Sequence, residues 1–147
     1  MYSDKTVYKG EFQMNLRHGY GTITYSNGDK YEGHWENDEK SGEGTYVYKD
    51  GSKFVGEFRN GKQYGKGTFT YAKGGQVEGV WMNGKLHGHG YYKHKNMIYD
   101  GFYKDGLKAG KGKIVLENGD RFEGQWSNDE INGSGKYTFM NGDRYEG

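Results

Sequence analysis

The stretch YEGHWENDEKSGEGTYVYKDGSK, residues 31–53, is followed directly by FVGEFRNGKQYGKGTFTYAKGGQ, residues 54–76, which has the same length and the same order of residue types. Each stretch opens on an aromatic-x-Gly triplet, has a second aromatic residue two positions after that glycine, and continues into a Gly-x-Gly motif. Two such stretches in a row indicate an internal repeat, and a repeat decides the architecture of the whole chain.

The same layout continues in both directions, with steps of 23, 23, 23, 22, 23 and 23 residues between triplets. We therefore predict that residues 1–147 form one repeat array. Its units start near residues 8, 31, 54, 77, 99 and 122, with a truncated unit at 145. Val77 is the one triplet position without an aromatic ring.

Each unit is predicted to form a β-hairpin. Its first strand alternates aromatic and polar residues, which is typical of a strand with one buried face. Asn60-Gly61 and its equivalents then supply the two positive φ angles that a two-residue type I′ turn requires. The predicted fold is all-β: an elongated, single-layer, twisted antiparallel sheet of tandem hairpins of about 23 residues each.

Counting outward from a two-residue turn at Asn60-Gly61 gives a predicted strand register. Gly56 should then face Gly65, and Phe54 should face Gly67. The five-residue link between units should place Phe58 opposite Gly44, so that Gly44 lies between the rings of Tyr31 and Phe58. Any Cβ at Gly44 would then meet a ring, which makes glycine a steric requirement.

The link between His94 and Tyr99 has four residues instead of five, and Met97 replaces a turn glycine. An even number of linking residues disturbs the alternation of faces. We therefore predict a β-bulge or a change of twist at this junction.

A single-layer sheet has no second layer to cover its aromatic face, so its rings should stay partly exposed unless the sheet curls over them. Exposed apolar surface of this kind marks interaction sites, and Tyr and Trp are frequent anchors at interfaces. The predicted partner-binding residues are Trp35, Phe58, Trp81, Tyr103, Trp126, Tyr31, Phe54, Tyr99 and Phe122.

Composition argues against several functional classes. The 21 basic and 20 acidic side chains leave a net charge of +1, without the basic excess typical of nucleic-acid binding. Cysteine is absent, so disulfides and thiolate metal sites are excluded. The first ten residues lack an apolar core, and no long apolar run occurs elsewhere. We therefore expect no signal peptide or transmembrane segment and a cytoplasmic location.

No catalytic, cofactor or metal site is predicted. His87 and His89 lie close in sequence, but a zinc site needs a third ligand, and His18 and His34 belong to other units. Carboxylates recur at one position in successive units, which marks a scaffold position rather than a catalytic pair. The Gly-x-Gly motifs open no helix and precede no Gly-Lys-Ser/Thr, so they are not phosphate loops.

The pattern Tyr31-Glu32-Gly33-x-Trp35, followed by Gly42-x-Gly44 and an aromatic-rich second strand, resembles the MORN (membrane occupation and recognition nexus) repeat. The resemblance covers essentially the whole chain, with Val77 and Met97 as departures. It implies a non-catalytic scaffold in cytoskeletal, ciliary or membrane-contact assemblies, with a helical or extended partner segment lying along the aromatic face.

Three alternatives stay open at this point. One is a regulatory segment joined to an enzyme outside these residues. Another is self-association through the unpaired edges of the sheet. The third is a module that binds phospholipid headgroups at a membrane surface, supported by lysines concentrated in the middle of the chain: Lys62, Lys66, Lys73, Lys85, Lys93, Lys95, Lys104, Lys108, Lys111 and Lys113.

Overall fold

The computed structural model describes residues 5–146 and contains thirteen β-strands in one antiparallel sheet, hydrogen-bonded strictly in chain order. This confirms the predicted fold class. The strands are β1 (Val7–Gln13), β2 (Leu16–Thr24), β3 (Lys30–Glu36), β4 (Glu39–Val47), β5 (Lys53–Arg59), β6 (Lys62–Thr70), β7 (Gln76–Met82), β8 (Lys85–His94), β9 (Met97–Lys104), β10 (Leu107–Val115), β11 (Arg121–Ser127), β12 (Glu130–Thr138) and β13 (Arg144–Glu146).

Two-residue turns close the hairpins, as predicted. Arg59 pairs with Lys62 across Asn60-Gly61, and both turn residues have positive φ, 52° and 82°. The turn Asn37-Asp38 has the same form, with φ of 47° and 74°. Asn and Asp adopt this conformation more readily than other residues with a Cβ, so the sequence specifies each hairpin locally.

The predicted register within each hairpin is wrong by two residues. Gly56 pairs with Gly67, not Gly65, and Phe54 pairs with Phe69, not Gly67. The reason is a β-bulge between Gly56 and Phe58, at which β6 carries extra residues including Gly65 at φ 78°. A turn fixes register only as far as the first bulge, so counting from the turn could not reach the glycines.

Pairing between units is displaced in the same way. Phe58 faces Gly42, whereas the sequence predicted Gly44, and Gly44 pairs with Gly33 on one side and Gly56 on the other. The bulges thus bring one glycine from each of β1 to β12 into a single line across the sheet. This glycine ladder consists of Gly10, Gly21, Gly33, Gly44, Gly56, Gly67, Gly79, Gly90, Gly101, Gly112, Gly124 and Gly135.

Aromatic rings lie directly on this ladder, on the side of the sheet that we call the ring face. A Cβ built on Gly44 would lie 2.5 Å from ring carbons of Tyr31, and a Cβ built on Gly67 would lie 2.5 Å from Cε1 of Phe54. The ring contact predicted for Gly44 therefore exists for Tyr31. Glycine is required there because any side chain would occupy the space of the ring.

Hydrogen bonds fix two kinds of ring against the backbone. The indole of Trp81 donates through Nε1 to the carbonyl of Gly67 at 3.1 Å, and Trp35 and Trp126 make the same bond at the same distance to ladder glycines of the preceding unit. The hydroxyl of Tyr31 donates to the carbonyl of His34 at 2.9 Å, so its ring spans Gly33. Each unit is therefore tied both to itself and to its neighbour.

The junction between β8 and β9 contradicts the prediction of a bulge. Pairing runs without a register shift from Gly88 opposite Tyr103 to His94 opposite Met97. The turn simply shortens to Lys95 and Asn96. Directly paired residues of an antiparallel ladder share a face whatever the length of the loop that joins them, so the even link did not disturb the alternation.

A substitution at the ladder tests its steric role. Gly67→Ala should lower the free energy of unfolding by about 3 kcal/mol or more, because the new Cβ would overlap the ring of Phe54. The strand cannot shift to relieve this overlap without breaking its pairing with both neighbouring strands. Urea unfolding measures the change. Gly61→Asn is the control, since the turn position is open and Asn tolerates its φ, and it should cost less than about 0.5 kcal/mol. Equal effects of both substitutions would contradict the packing described here.

Candidate binding surface

The residues predicted to bind a partner lie on the ring face of the sheet, and their side chains are buried there. All of them are between 0% and 8% exposed, with Tyr31 and Phe54 at 0% and Trp81 at 8%. The expectation that they remain partly exposed is therefore wrong. They form the hydrophobic core of the sheet: Trp35, Phe58, Trp81, Tyr103, Trp126, Tyr31, Phe54, Tyr99 and Phe122.

Edge-to-face contacts between these rings remove much of their surface from water. The ring of Tyr31 lies 5.3 Å from that of Trp35 in its own strand and 4.9 Å from that of Phe58 in the next unit. Phe54 repeats the arrangement with Trp81 at 5.0 Å. Such contacts are favourable beyond the area that they bury, and they join successive units in a continuous line.

A second set of side chains, which we call the covering row, lies over the rings. Each member pairs across its hairpin with the second aromatic residue of the unit, as Lys40 pairs with Trp35. The long side chains of Arg17, Lys40 and Lys108 extend over rings, which helps a single-layer sheet to bury its aromatic face. The covering row is Arg17, Lys40, Gln63, Leu86, Lys108 and Ile131.

Contacts of the covering row differ with residue type. The guanidinium carbon of Arg17 lies 4.5 Å from the centroid of the Trp35 ring, and Nζ of Lys108 lies 5.3 Å from that of Tyr99. Gln63 instead donates through Nε2 to the hydroxyl of Tyr48 at 2.9 Å. Sequence reasoning missed this row because only its position repeats, while its residues share no chemical type.

A line of partly exposed rings borders the buried ones and forms the accessible part of the ring face. We call it the outer ring strip. Successive rings along it are in contact, for example Tyr46 with Tyr48 at 4.6 Å and Phe69 with Tyr71 at 4.8 Å. Tyr71 is 41% exposed. The strip consists of Tyr25, Tyr46, Tyr48, Phe69, Tyr71 and Tyr92.

Three tyrosines of this strip have a pKa above the ordinary value. Burial raises the pKa of Tyr48 and of Tyr71. Burial also raises the pKa of Tyr46, and the hydrogen bond from its hydroxyl to Asp29, 2.8 Å long, raises it further. These three residues therefore offer ring surface and neutral phenols to a ligand. Tyr25, Tyr48 and Tyr71 directly follow β2, β4 and β6 at intervals of 23 residues, a signal in the sequence that could have identified the strip.

The opposite face of the sheet carries polar side chains beside exposed apolar ones. Three shallow cavities of about 350, 400 and 460 Å³ lie over backbone of the glycine ladder. His89 lies in this region and its Nε2 is 2.6 Å from Oδ1 of Asp100. Nδ1 of His87 is buried and has no hydrogen-bond partner among residues 5–146. His87 and His89, which lie close in sequence, thus occupy different surroundings, and the described residues contain no group suited to hold a metal ion.

The lysines behind the lipid alternative are dispersed. Lys108 lies on the ring face, and Lys73 and Lys95 lie in turns between units. Lys62 and Lys85 stand next to hairpin turns, whereas Lys66, Lys111 and Lys113 line the cavities of the opposite face. In the part of the chain that the structure describes, these lysines do not converge on a single surface. Residues 5–146 also include no helix with the length and apolar character needed to cross a bilayer.

Comparison with known families identifies the repeat that forms these hairpins, the glycine ladder and the rings. The profile of the MORN repeat matches residues 8–30, 31–53, 54–76, 78–96, 99–121 and 122–144. The chain belongs to the MORN repeat family. Curated proteins give no significant match.

Among solved structures, the MORN array is similar to the SAS-4 (dCPAP) TCP domain of Drosophila melanogaster, solved in complex with a proline-rich motif of Ana2 (dSTIL). The TM-score is 0.50 at 15% sequence identity, and the match covers 86% of this chain and 76% of the other. At this identity the likeness concerns the fold.

An ion pair at a hairpin turn gives the MORN array a pH-dependent contribution to its stability. Arg17 donates through Nε to Oδ1 of Asp38 at 2.6 Å, and this hydrogen bond holds the pKa of Asp38 below its usual 3.8. A carboxyl group with a depressed pKa stabilises the fold above its unfolded pKa, and that stability is lost as the pH falls through the folded value.

Accordingly, the difference in unfolding free energy between the native protein and Asp38→Asn should be largest near neutral pH and shrink below pH 3.8. Urea unfolding between about pH 6 and about pH 3 measures this difference. Because Asp38 is 44% exposed, added salt should reduce it. A difference that grows on acidification would contradict the assignment.

Proposed function

We propose that this MORN array is a non-catalytic scaffold that binds a helical or extended segment of a partner protein along its ring face. The observation that carries the proposal is the outer ring strip, a continuous line of contacting, partly exposed rings over the first four units. Contiguous aromatic surface of this kind is characteristic of interaction sites, and tyrosine is a frequent anchor residue.

In this proposal, Tyr48, Phe69 and Tyr71 make the direct contacts. The deeper rings from the sequence prediction, such as Trp81, contribute only their exposed edges and set the shape of the surface. Support from similar proteins is of two kinds. MORN repeats suggest an interaction or membrane-binding module, and the structurally similar SAS-4 TCP domain was solved with a proline-rich motif of Ana2. A cytoskeletal or ciliary assembly, which the resemblance implied, is the setting that we propose.

The test uses a display library of random peptides of about 20 residues, selected on the full chain, because the partner is unidentified. Replacing two tyrosines of the outer ring strip together, Tyr48→Ser with Tyr71→Ser, should weaken the binding of the selected peptides at least about tenfold. Phe102→Ser is the matched control: it removes a ring that is 49% exposed on the opposite face, and it should leave affinity unchanged. If only Phe102→Ser weakens the binding of the selected peptides, the binding surface lies on the opposite face and the proposal is wrong.

The lipid-headgroup alternative remains a prediction with a simple test. Co-sedimentation with phosphatidylserine vesicles, but not with phosphatidylcholine vesicles, in a manner that salt abolishes would favour it. We expect no such salt-sensitive binding, since the lysines are distributed over both faces and the turns.

We also propose that the array associates with other copies of itself through its edge strands. Among residues 5–146, the outer edges of β1 and β13 have no partner strand, and an edge strand can add a strand from another copy. We expect the average mass measured by light scattering to rise with protein concentration. A constant monomer mass at high concentration would contradict this expectation.

A further inference from the structure

The covering row contains three cations, and two of them have a carboxylate partner in the following hairpin turn. Arg17 lies 2.6 Å from Oδ1 of Asp38, and Lys108 lies 3.8 Å from Oδ1 of Asp129. In both cases the acid is the second residue of an Asn-Asp turn. Its backbone N–H also donates to the carbonyl of the covering residue, at 2.9 Å for Arg17 and 3.1 Å for Lys108.

Lys40 is the third cation, and its turn differs. The N–H of Gly61 donates to the carbonyl of Lys40 at 3.1 Å, so Gly61 occupies the position that Asp38 holds relative to Arg17. Gly61 has no side chain. Within residues 5–146 no carboxylate lies within 4.0 Å of Nζ of Lys40.

The ammonium group of Lys40 is held among four rings. Its Nζ lies 5.2 Å from the ring centroid of Tyr25, 5.5 Å from that of Tyr31, 5.6 Å from that of Trp35 and 5.7 Å from that of Tyr46. Rings at these distances attract a cation and hold it in one place, but they supply no formal counter-charge. Two of these rings, Tyr25 and Tyr46, belong to the outer ring strip.

A second cation lies close to Lys40. The guanidinium of Arg17 lies over the same indole, that of Trp35, at 4.5 Å. Burial lowers the pKa of Lys40, and the charge of Arg17 lowers it further. Both cations thus lie over one indole, and among residues 5–146 the ion pair with Asp38 is made by Arg17 and not by Lys40. An anion placed beside Lys40 would give it the pairing that Arg17 and Lys108 already have.

We propose that Lys40 is a binding site for an acidic side chain of the partner segment that lies on the outer ring strip. The inference rests on the proposed function, because the segment must run past Tyr25 and Tyr46 to reach Lys40. The next covering residues, Gln63 and Leu86, are uncharged. The partner therefore carries its acidic residue at the end over the first two units, and the next two units offer no cation of the covering row for a second one.

Strand spacing sets the distance between these partner residues. Two strands per unit, about 4.8 Å apart, place successive covering positions about 10 Å apart. An extended segment spans that distance with about three residues, and a helix with about six to seven.

The experiment changes Gly61 and leaves the rings intact. Gly61→Asp recreates the Asn-Asp turn of the neighbouring units, where Asp38 and Asp129 adopt φ of 74° and 71°, close to the 82° of Gly61. A Cβ there meets nothing within 4 Å, so the variant should fold. Its carboxylate would pair with Lys40 from within the chain. Gly61→Asn is the matched control, with the same shape and no charge.

Peptides selected from the random library on the native chain should be enriched in Asp and Glu. Gly61→Asp should weaken those acidic peptides about tenfold, and Lys40→Met should weaken them similarly, whereas Gly61→Asn should not. Replacing the peptide acids with Gln or Asn should abolish the difference between Gly61→Asp and Gly61→Asn.

Two outcomes separate this inference from the proposed function. If binding requires Tyr48 and Tyr71 but shows no preference for acidic residues and no response to Gly61→Asp, the role of Lys40 is wrong and the ring-face scaffold stands. If the library yields no peptide that depends on Tyr48 and Tyr71, both proposals fail.

Discussion

The contact between an aromatic ring and a backbone without Cβ atoms is the interaction on which this fold depends. Each ring of the Tyr31 type lies on glycines of its own and the neighbouring strand, and it buries backbone that would otherwise face water. The ladder works because the bulges bring the glycines of adjacent strands into direct pairing. A single hairpin offers only part of this arrangement, so the stability of one unit depends on its neighbours.

Burial of the aromatic face in a single layer follows from the covering row. The side chains of Arg17, Lys40 and Lys108 extend over rings, and Leu86 is itself only 6% exposed. This row repeats once per unit while its residue types vary, so its chemistry differs from unit to unit. In the proposed function, the charges of Arg17 and Lys40 are the differences that a partner would contact.

Within residues 5–146, the line of contacting rings is interrupted at Val77. Edge-to-face contacts run from Tyr8 through to Trp81 and resume between Tyr103 and Tyr99, but no ring stands at position 77 to join them. Leu86 occupies part of this space, since a Cβ on Gly79 would lie 2.8 Å from its Cδ2. Strand pairing thus continues between the fourth and fifth units, whereas the contacts between aromatic rings are interrupted there.

Sequence reasoning reached the features that are encoded locally. Asn60-Gly61 specifies its turn through its own backbone preferences, and the alternation around Tyr31 specifies which residues share a face. The predicted register was wrong because the bulge at Gly65 depends on the pairing of two strands. No residue type in the sequence indicates how many extra residues a bulge contains. The prediction that Trp81 is partly exposed failed for a similar reason: the rings that pack against it, Phe54 and Phe69, come from other strands. The outer ring strip was within reach, since Tyr25, Tyr48 and Tyr71 repeat with the period of the array.

The most direct measurement of the ring-on-glycine contact is the NMR chemical shift of the glycine Hα protons. We expect the resonance of one Hα proton of Gly44 and of one of Gly67 to be shifted strongly upfield by the ring currents of Tyr31 and Phe54. The Hα resonances of Gly61 in the turn should not be shifted. Hα shifts of Gly44 and Gly67 at the values of Gly61 would show that no ring lies over the ladder and would contradict the account.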